Sequence, residues 1–151
     1  SLYGSRANHF NFIRNVIHQA LTQGKMERKG DGMEIRDYIH VADASRACVA
    51  ALDEKFRNDH LMITGSQSIK VKDLLLMINE MLGRRAEVRF LDKQDDDHYE
   101  ITPYAFRPRV ARKLIQETQI DLGQGLLDTI YEVYREIEAK DGSKPAISLP
   151  E

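Results

Sequence analysis

The stretch with the most chemical content runs Gly30-Asp31-Gly32-Met33-Glu34-Ile35-Arg36-Asp37-Tyr38-Ile39-His40-Val41, followed by Ala42-Asp43 and an alanine-rich segment. Asp31-Gly32 reaches positive φ angles at little cost, so the pattern predicts a strand over 25–29, a tight turn and a returning strand over 33–41. Such a hairpin would set the Arg36 guanidinium at its rim, beside a helix start. The planar fork of an arginine donates paired hydrogen bonds to a phosphate, which makes Arg36 a candidate anion ligand. Arg36 and Asp37 could instead pair with each other at the hairpin edge, and spacing by itself favours that pairing.

Other residues invite a chemical reading and lose it. Asp95-Asp96-Asp97-His98 carries ligand types that suit divalent ions. Consecutive residues rarely converge on one ion without a structured loop, and EF-hand spacing is absent, so a solvated acidic loop and no metal site are expected. Cys48 lies on an alanine face and reads as a buried core thiol. His40 orients neighbouring backbone, and nothing marks it as an acid or base. Tyr131 has Arg135 four residues on, but its helix is expected to use it with Tyr134 for packing. Met77, Met81 and Leu82 read as core. Gly123-Gln124-Gly125 imitates a phosphate loop, yet no strand feeds it and Asp121 already caps that helix.

The elements that must position these residues follow from periodicity. Ile13, Val16, Ile17, Ala20 and Leu21 recur at helical steps, with Gly24 as the C-cap. Asp43 is placed to cap a second helix carrying Ala44, Ala47, Cys48, Ala51 and Leu52 on one face. Residues 60–64 read as a short strand closed by Gly65, and 86–91 alternate like another. Val71, Leu74, Leu75, Ile78, Met81 and Leu82 form the strongest apolar stripe, ending at Gly83. Residues 92–108 read as a long loop and 110–117 as a short helix. Asp121 caps a last helix, with Gln124 as its capping-box partner and Leu126, Leu127, Ile130, Val133, Tyr134 and Ile137 facing inward. From Lys140 the chain turns polar and is expected to fray. The fold class is therefore mixed α/β and helix-rich. The strands are too few and short for a complete doubly wound sheet, which suggests part of a larger unit.

Composition narrows the function classes. The 151 residues contain 22 Lys and Arg against 24 Asp and Glu, a net charge of −2, so the basic excess of a nucleic-acid binder is missing. A single cysteine excludes an intrachain disulfide and makes a reducing, cytoplasmic setting the expectation. No apolar run approaches the roughly 18 residues of a membrane span, so no membrane partner is expected.

Gly30-Asp31-Gly32 with Arg36-Asp37-Tyr38-Ile39-His40-Val41 resembles the hallmark segment of the extended short-chain dehydrogenase/reductase family, the NAD-dependent nucleotide-sugar epimerases and dehydratases. Tyr3-Gly4-Ser5-Arg6 resembles the family's Tyr-Gly-Pro-Arg turn, with Ser5 in place of proline. Ile69-Lys70-Val71-Lys72-Asp73-Leu74 resembles the opening of the helix after a late sheet strand. Leu122-Gly123-Gln124-Gly125-Leu126-Leu127-Asp128-Thr129-Ile130 resembles the family's last helix. The likeness spans residues 3 to about 137, and the Arg-Asp-Tyr-Ile-His-Val form is most similar to sugar 4-epimerases such as the UDP-glucose 4-epimerases.

The resemblance implies that residues 1–139 are a C-terminal nucleotide-sugar-binding domain without the Rossmann NAD-binding half, with 140–151 as a polar tail. Arg36 would grip the diphosphate, Asn11 would reach it by its side chain, and backbone groups of Met26, Glu27 and Arg28 would line the base, uracil in the commonest case. Glu100 would hold the ribose. The arginine usual near it is absent, leaving Arg107 or Arg109 as substitutes and the base identity open. The family's Gly-x-x-Gly-x-x-Gly loop and Tyr-x-x-x-Lys pair are missing, so NAD is implied only for the parent enzyme. No cofactor, no catalytic residue and no activity are expected of this chain alone. By resemblance the parent would oxidise a sugar hydroxyl and return the hydride to the other face; a 4,6-dehydratase or a free-standing binding module are the alternatives. Ser1-Leu2-Tyr3-Gly4 begins mid-motif, as a cut chain would, and Ser1 stands where the family has a substrate-contacting asparagine. Stretches near 1–5, 42–54 and 60–66 would then present faces made for the missing half, open to self-association as a homodimer.

Overall fold

A computed structural model describes residues 1–92, 111–140 and 144–150. Three helices build the core. Helix α1 (Phe12–Gln23) starts where the Asn11 carboxamide accepts from the Arg14 N–H at 3.2 Å and stops at Gly24, and it buries the five predicted apolar residues. Helix α3 (Val71–Met81) buries Val71, Leu74, Leu75 and Ile78. Helix α4 (Leu122–Ala139) is capped by Asp121, whose carboxylate accepts from the Gln124 N–H, and buries Leu126, Ile130, Val133 and Ile137. Their apolar stripes, spaced for one face each, close on Met26, Leu82 and Ala86 to exclude water from one contiguous cluster.

Among the described residues the strands form four two-stranded ladders. Strand β1 (Leu2–Tyr3) pairs in parallel with β4 (Ile39–His40), and β2 (Lys25–Lys29) in parallel with β7 (Glu87–Leu91). Strand β3 (Ile35–Asp37) runs antiparallel to β6 (Ser68–Lys70), and β5 (Leu61–Met62) pairs in parallel with β8 (Arg112–Lys113).

The predicted hairpin does not form. Gly30 N–H donates to Leu91 O at 2.8 Å, so β2 is committed to β7. The Asp31 carboxylate then accepts from the Met33 N–H, and Gly32 turns at φ +72° in a spot where a β-carbon would strike the Phe90 ring. The chain leaves that turn toward α3, with Lys72 N–H donating to Gly32 O and Val71 N–H to Glu34 O. A tight turn thus exists without the strand pairing it usually signals.

Several local expectations are corrected in the same way. Helix α2 (Val41–Ala50) is capped by His40, whose Nδ1 accepts from the Ala42 N–H at 3.2 Å. Asp43 points inward instead, pairing with Arg46 and accepting from the Ile120 N–H at 3.0 Å. Residues 111–117 hold strand β8 rather than a helix, because Arg112 N–H and Leu114 N–H find the carbonyls of His60 and Met62. Gln124 bonds Asp128 and closes no capping box, and Leu127 faces outward. Tyr131 is exposed with Arg135 bonded to its hydroxyl at 3.0 Å. Cys48 is exposed too, next to Val49 at 70% and Leu52 at 84% exposure, so the outer face of α2 is uncovered. The acidic stretch 95–98 lies outside the described residues.

The end of the chain packs rather than frays. Ile147 is buried in the core cluster, Ala146 N–H donates to Leu21 O, and Arg85 reaches the Ser148 carbonyl and hydroxyl at 2.9 Å. Ile147 is joined by Leu149, which packs partly buried on the same cluster, and the two apolar side chains together with these hydrogen bonds offset the ordering of the segment. Ile147→Ala is therefore expected to cost about 2–4 kcal/mol, read as a lowered urea midpoint. An unmoved midpoint would return the segment to a loose tail.

Candidate functional site

A cleft of about 350 Å³ opens between the start of α1, strand β1, strands β2 and β3, and the first residue of α3. Arg28, Arg36, Tyr38, Asn11, Phe10 and Phe12 line it. Two cations and the first turn of α1, whose N–H groups have no acceptor within the helix, face the same space. Such an arrangement attracts an anion.

The two guanidiniums differ. Arg28 is clamped, with Nε and Nη2 donating to one Glu34 carboxylate oxygen at 2.9 and 2.6 Å and its carbon 5.1 Å above the Phe12 ring. Arg36 donates to the Ile35 carbonyl at 2.8 Å and has no carboxylate partner among the described residues. The pairing of Arg36 with Asp37 that spacing favours is not made: neighbours on a strand point to opposite faces, and Asp37 turns into the interior. Arg36 keeps its charge available to the cleft.

Burial pushes the Tyr38 hydroxyl up to about 12, against the opposing pull of Arg36 and Arg28. It stays neutral, a hydrogen-bond donor beside both cations. Tyr3, edge-on to the His40 ring, is likewise held at about 12 by burial and by the charges of Asp43, Asp121 and Asp128. Both folded values lie above the usual 10, so folding favours the protonated phenol. That contribution is complete below pH 10 and is lost as the pH rises from 10 toward 12. In a phenolate absorbance titration two tyrosines should ionise only in that upper window, together with unfolding. Completion of all tyrosine ionisation near pH 10 in a folded chain would contradict this.

Of the six residues implied to contact substrate, the fold gathers Arg36, Arg28 and Asn11. Asn11 is already employed: its Oδ1 caps α1 and its Nδ2 donates to Leu2 O at 2.7 Å. Met26 spends its side chain in the core. Glu27 N–H is taken by the Gln19 side chain at 3.1 Å, while its carboxylate pairs with Lys25 at 2.9 Å. Glu100, with Arg107 and Arg109, lies outside the described residues. Sequence reasoning missed Tyr38, Phe12 and Glu34. Tyr38 was the findable one, since it sits two residues beyond Arg36 and the period of an extended strand puts both on one side.

The Gly123-Gln124-Gly125 helix start is not built as a phosphate loop: a β-carbon at Gly125 would lie 2.3 Å from the Tyr3 hydroxyl, so this glycine serves packing, and the Asp121 carboxylate accepts from the Gln124 N–H. Among the described residues no cluster of His, Cys, Asp or Glu is arranged to hold a metal, and no helix is long and apolar enough to cross a membrane.

With the cleft so defined, comparison with known proteins is direct. Residues 1–64, which hold both arginines, match the NAD dependent epimerase/dehydratase family. The UDP-glucose epimerase YtcB of Bacillus subtilis, described as uncharacterized, is 27% identical over 94 residues, 62% of this chain and 30% of its own length. GDP-L-fucose synthase 1 of Arabidopsis thaliana is 31% identical over 69 residues, 44% of this chain and 21% of its own. Among solved structures, the UDP-glucuronic acid 4-epimerase of Bacillus cereus, in complex with UDP-glucuronic acid and NAD, superposes with a TM-score of 0.72 at 21% identity, covering 90% of this chain and 43% of that one. The NAD-dependent NDP-hexosamine 5,6-dehydratase TunA gives 0.70 at 20% identity, covering 89% and 43%. The fold is thus the mixed α/β fold seen in short-chain dehydrogenase/reductase epimerases and dehydratases. The chain spans less than a third of the length of these two curated relatives and under half of these two solved neighbours.

Proposed function

We propose that residues 1–139 are the nucleotide-sugar-binding domain of an NAD-dependent sugar epimerase, with a UDP-sugar 4-epimerase as the specific reading. The carrying observation is the cleft, where an Arg36 without a carboxylate partner among the described residues shares the space with a charge-compensated Arg28, a neutral Tyr38 and a helix start. Arg36 and the α1 amides take the diphosphate, with Tyr38 donating beside them. Asn11 shapes that end by capping the helix, Met26, Glu27 and Arg28 border the base, and Glu100 holds the ribose. Holding the sugar in one orientation is this domain's share of the work, since orientation lowers the entropic part of a barrier.

In this reading NAD and the reacting groups belong to an N-terminal half outside this chain, and the bare face of α2 around Cys48, Val49 and Leu52 is where that half docks. The comparisons support it in kind: UDP-sugar epimerases and dTDP-sugar dehydratases both appear among the structural neighbours. That same mixture keeps a 4,6-dehydratase as the second reading. Calorimetric titration of the chain with UDP-glucose, UDP and inorganic pyrophosphate tests the binding claim. UDP should bind more tightly than pyrophosphate, because it fills base and phosphate positions together. No heat and no competition from any of the three would remove the nucleotide-sugar reading.

A further inference from the structure

The Asp37 carboxylate is 1% exposed, yet it directly follows Arg36, which has no carboxylate partner among the described residues. A buried negative charge at that position acts through a poorly screening interior. Left uncompensated, it would draw the guanidinium toward itself and weaken the cleft's pull on an anion. Asp37 is not left uncompensated. Ser68, its cross-strand partner on β6, donates its hydroxyl to Oδ1 at 2.6 Å, which satisfies a lone pair but supplies no charge. Side-chain charge comes from Lys113 on β8, whose Nζ lies 3.5 Å from Oδ2 with under a third of its side chain exposed, alongside the Ser1 ammonium that donates to the Asp37 carbonyl at 2.6 Å. Lys113 is held in place by the β5–β8 ladder, fixed on either side by the Arg112 and Leu114 N–H groups. Two ladders that share no strand therefore meet at one carboxylate, and the cation that answers it comes from 76 positions later in the chain.

We propose that Lys113 is a positioning residue for the anion cleft: by neutralising buried Asp37 it leaves the Arg36 charge free for a phosphate group. The proposal rests on the diphosphate reading of the cleft. Lys113 touches no ligand and acts only through Asp37.

The test is UDP affinity of the folded chain at low and high salt for wild type, Lys113→Met, Asp37→Asn, the double variant and Arg36→Gln, with circular dichroism confirming the fold. Lys113→Met should weaken UDP on the order of ten-fold, a loss that persists at high salt because ions screen the field of a buried carboxylate much less than that of an exposed one. Adding Asp37→Asn should restore affinity to within a factor of about two of wild type, a coupling that a tether role cannot produce. A folded Lys113→Met chain binding as wild type overturns the inference, and so does a double variant as weak as the single. Where Lys113→Met does not fold, the Asp37→Asn chain decides: binding at least as tight as wild type supports charge compensation, and weaker binding overturns it. Arg36→Gln separates the two claims. If it binds UDP as wild type does, the diphosphate reading falls; if it weakens binding while Lys113→Met does not, only the role of Lys113 falls.

Discussion

Arg36→Gln is expected to weaken UDP binding by about 100-fold while moving the unfolding midpoint little. Each charge-assisted hydrogen bond to phosphate contributes roughly 1.5–3 kcal/mol, and an arginine can make two at once. Glutamine keeps a donor but loses the charge and the fork, so most of that contribution goes. Stability should shift by no more than about 0.5 kcal/mol, because the guanidinium is half-buried and, among the described residues, its hydrogen bond is to the adjacent Ile35 carbonyl. Arg28 offers the contrast. Its two bonds to Glu34 and its place over Phe12 are made without ligand, so Arg28→Met should lower stability by about 1–2 kcal/mol. Titration calorimetry with UDP alongside urea melts separates the two arginines. Equal loss of affinity and stability at Arg36 would make it a structural residue.

A large stability effect is expected at Gly125. In an exposed helix, glycine to alanine would stabilise by nearly 1 kcal/mol. Here the added carbon would sit 2.3 Å from the hydroxyl and 2.9 Å from a ring carbon of Tyr3, which is itself buried on β1. Helix α4 would have to move off β1, or Tyr3 leave its place against His40. Gly125→Ala should therefore destabilise by about 2–3 kcal/mol, and Gly125→Val by more. Gly123, two residues earlier, is the control. Its nearest neighbours are the Asp121 carboxylate at 3.0 Å and the flexible end of Met81, so Gly123→Ala should be close to neutral. Parallel thermal melts decide it. Equal behaviour of the two alanine variants would mean that α4 does not press on Tyr3.

The same contrast explains what could be read along the chain. The end of α1 at Gly24 and the start of α4 at Asp121 were legible, because a C-cap glycine and a capping carboxylate beside an apolar stripe are local signals that need no partner. Strands β5 and β7 were found within a residue or two for the same reason, as was the candidate role of Arg36. Strand partnership was not legible. Asp31-Gly32 looks like a hairpin turn whether β2 pairs with the strand just after it or with one 58 residues further on. Residues 111–117 look helical until the carbonyls of His60 and Met62 are near enough to accept their N–H groups. Ile147 and Leu149 look like scattered apolar residues in a polar tail until the core cluster presents them a place.

Sequence by itself therefore determined helices α1, α3 and α4, the mixed α/β class, the apolar faces that must meet, and, through the family resemblance, the short list containing Arg36, Arg28 and Asn11. These depend on periodicity and capping, which act over a few residues. Tertiary structure alone decided which strands pair, that Arg28 is clamped while Arg36 is not, and that Asp37 answers to Lys113 rather than to its neighbour. Those outcomes depend on groups far apart in the chain competing for the same partner, and electrostatic and hydrogen-bond energies settle by distance in space. Between residues 36 and 37 the pleat of one strand turned two opposite charges apart, and so left the cleft a cation.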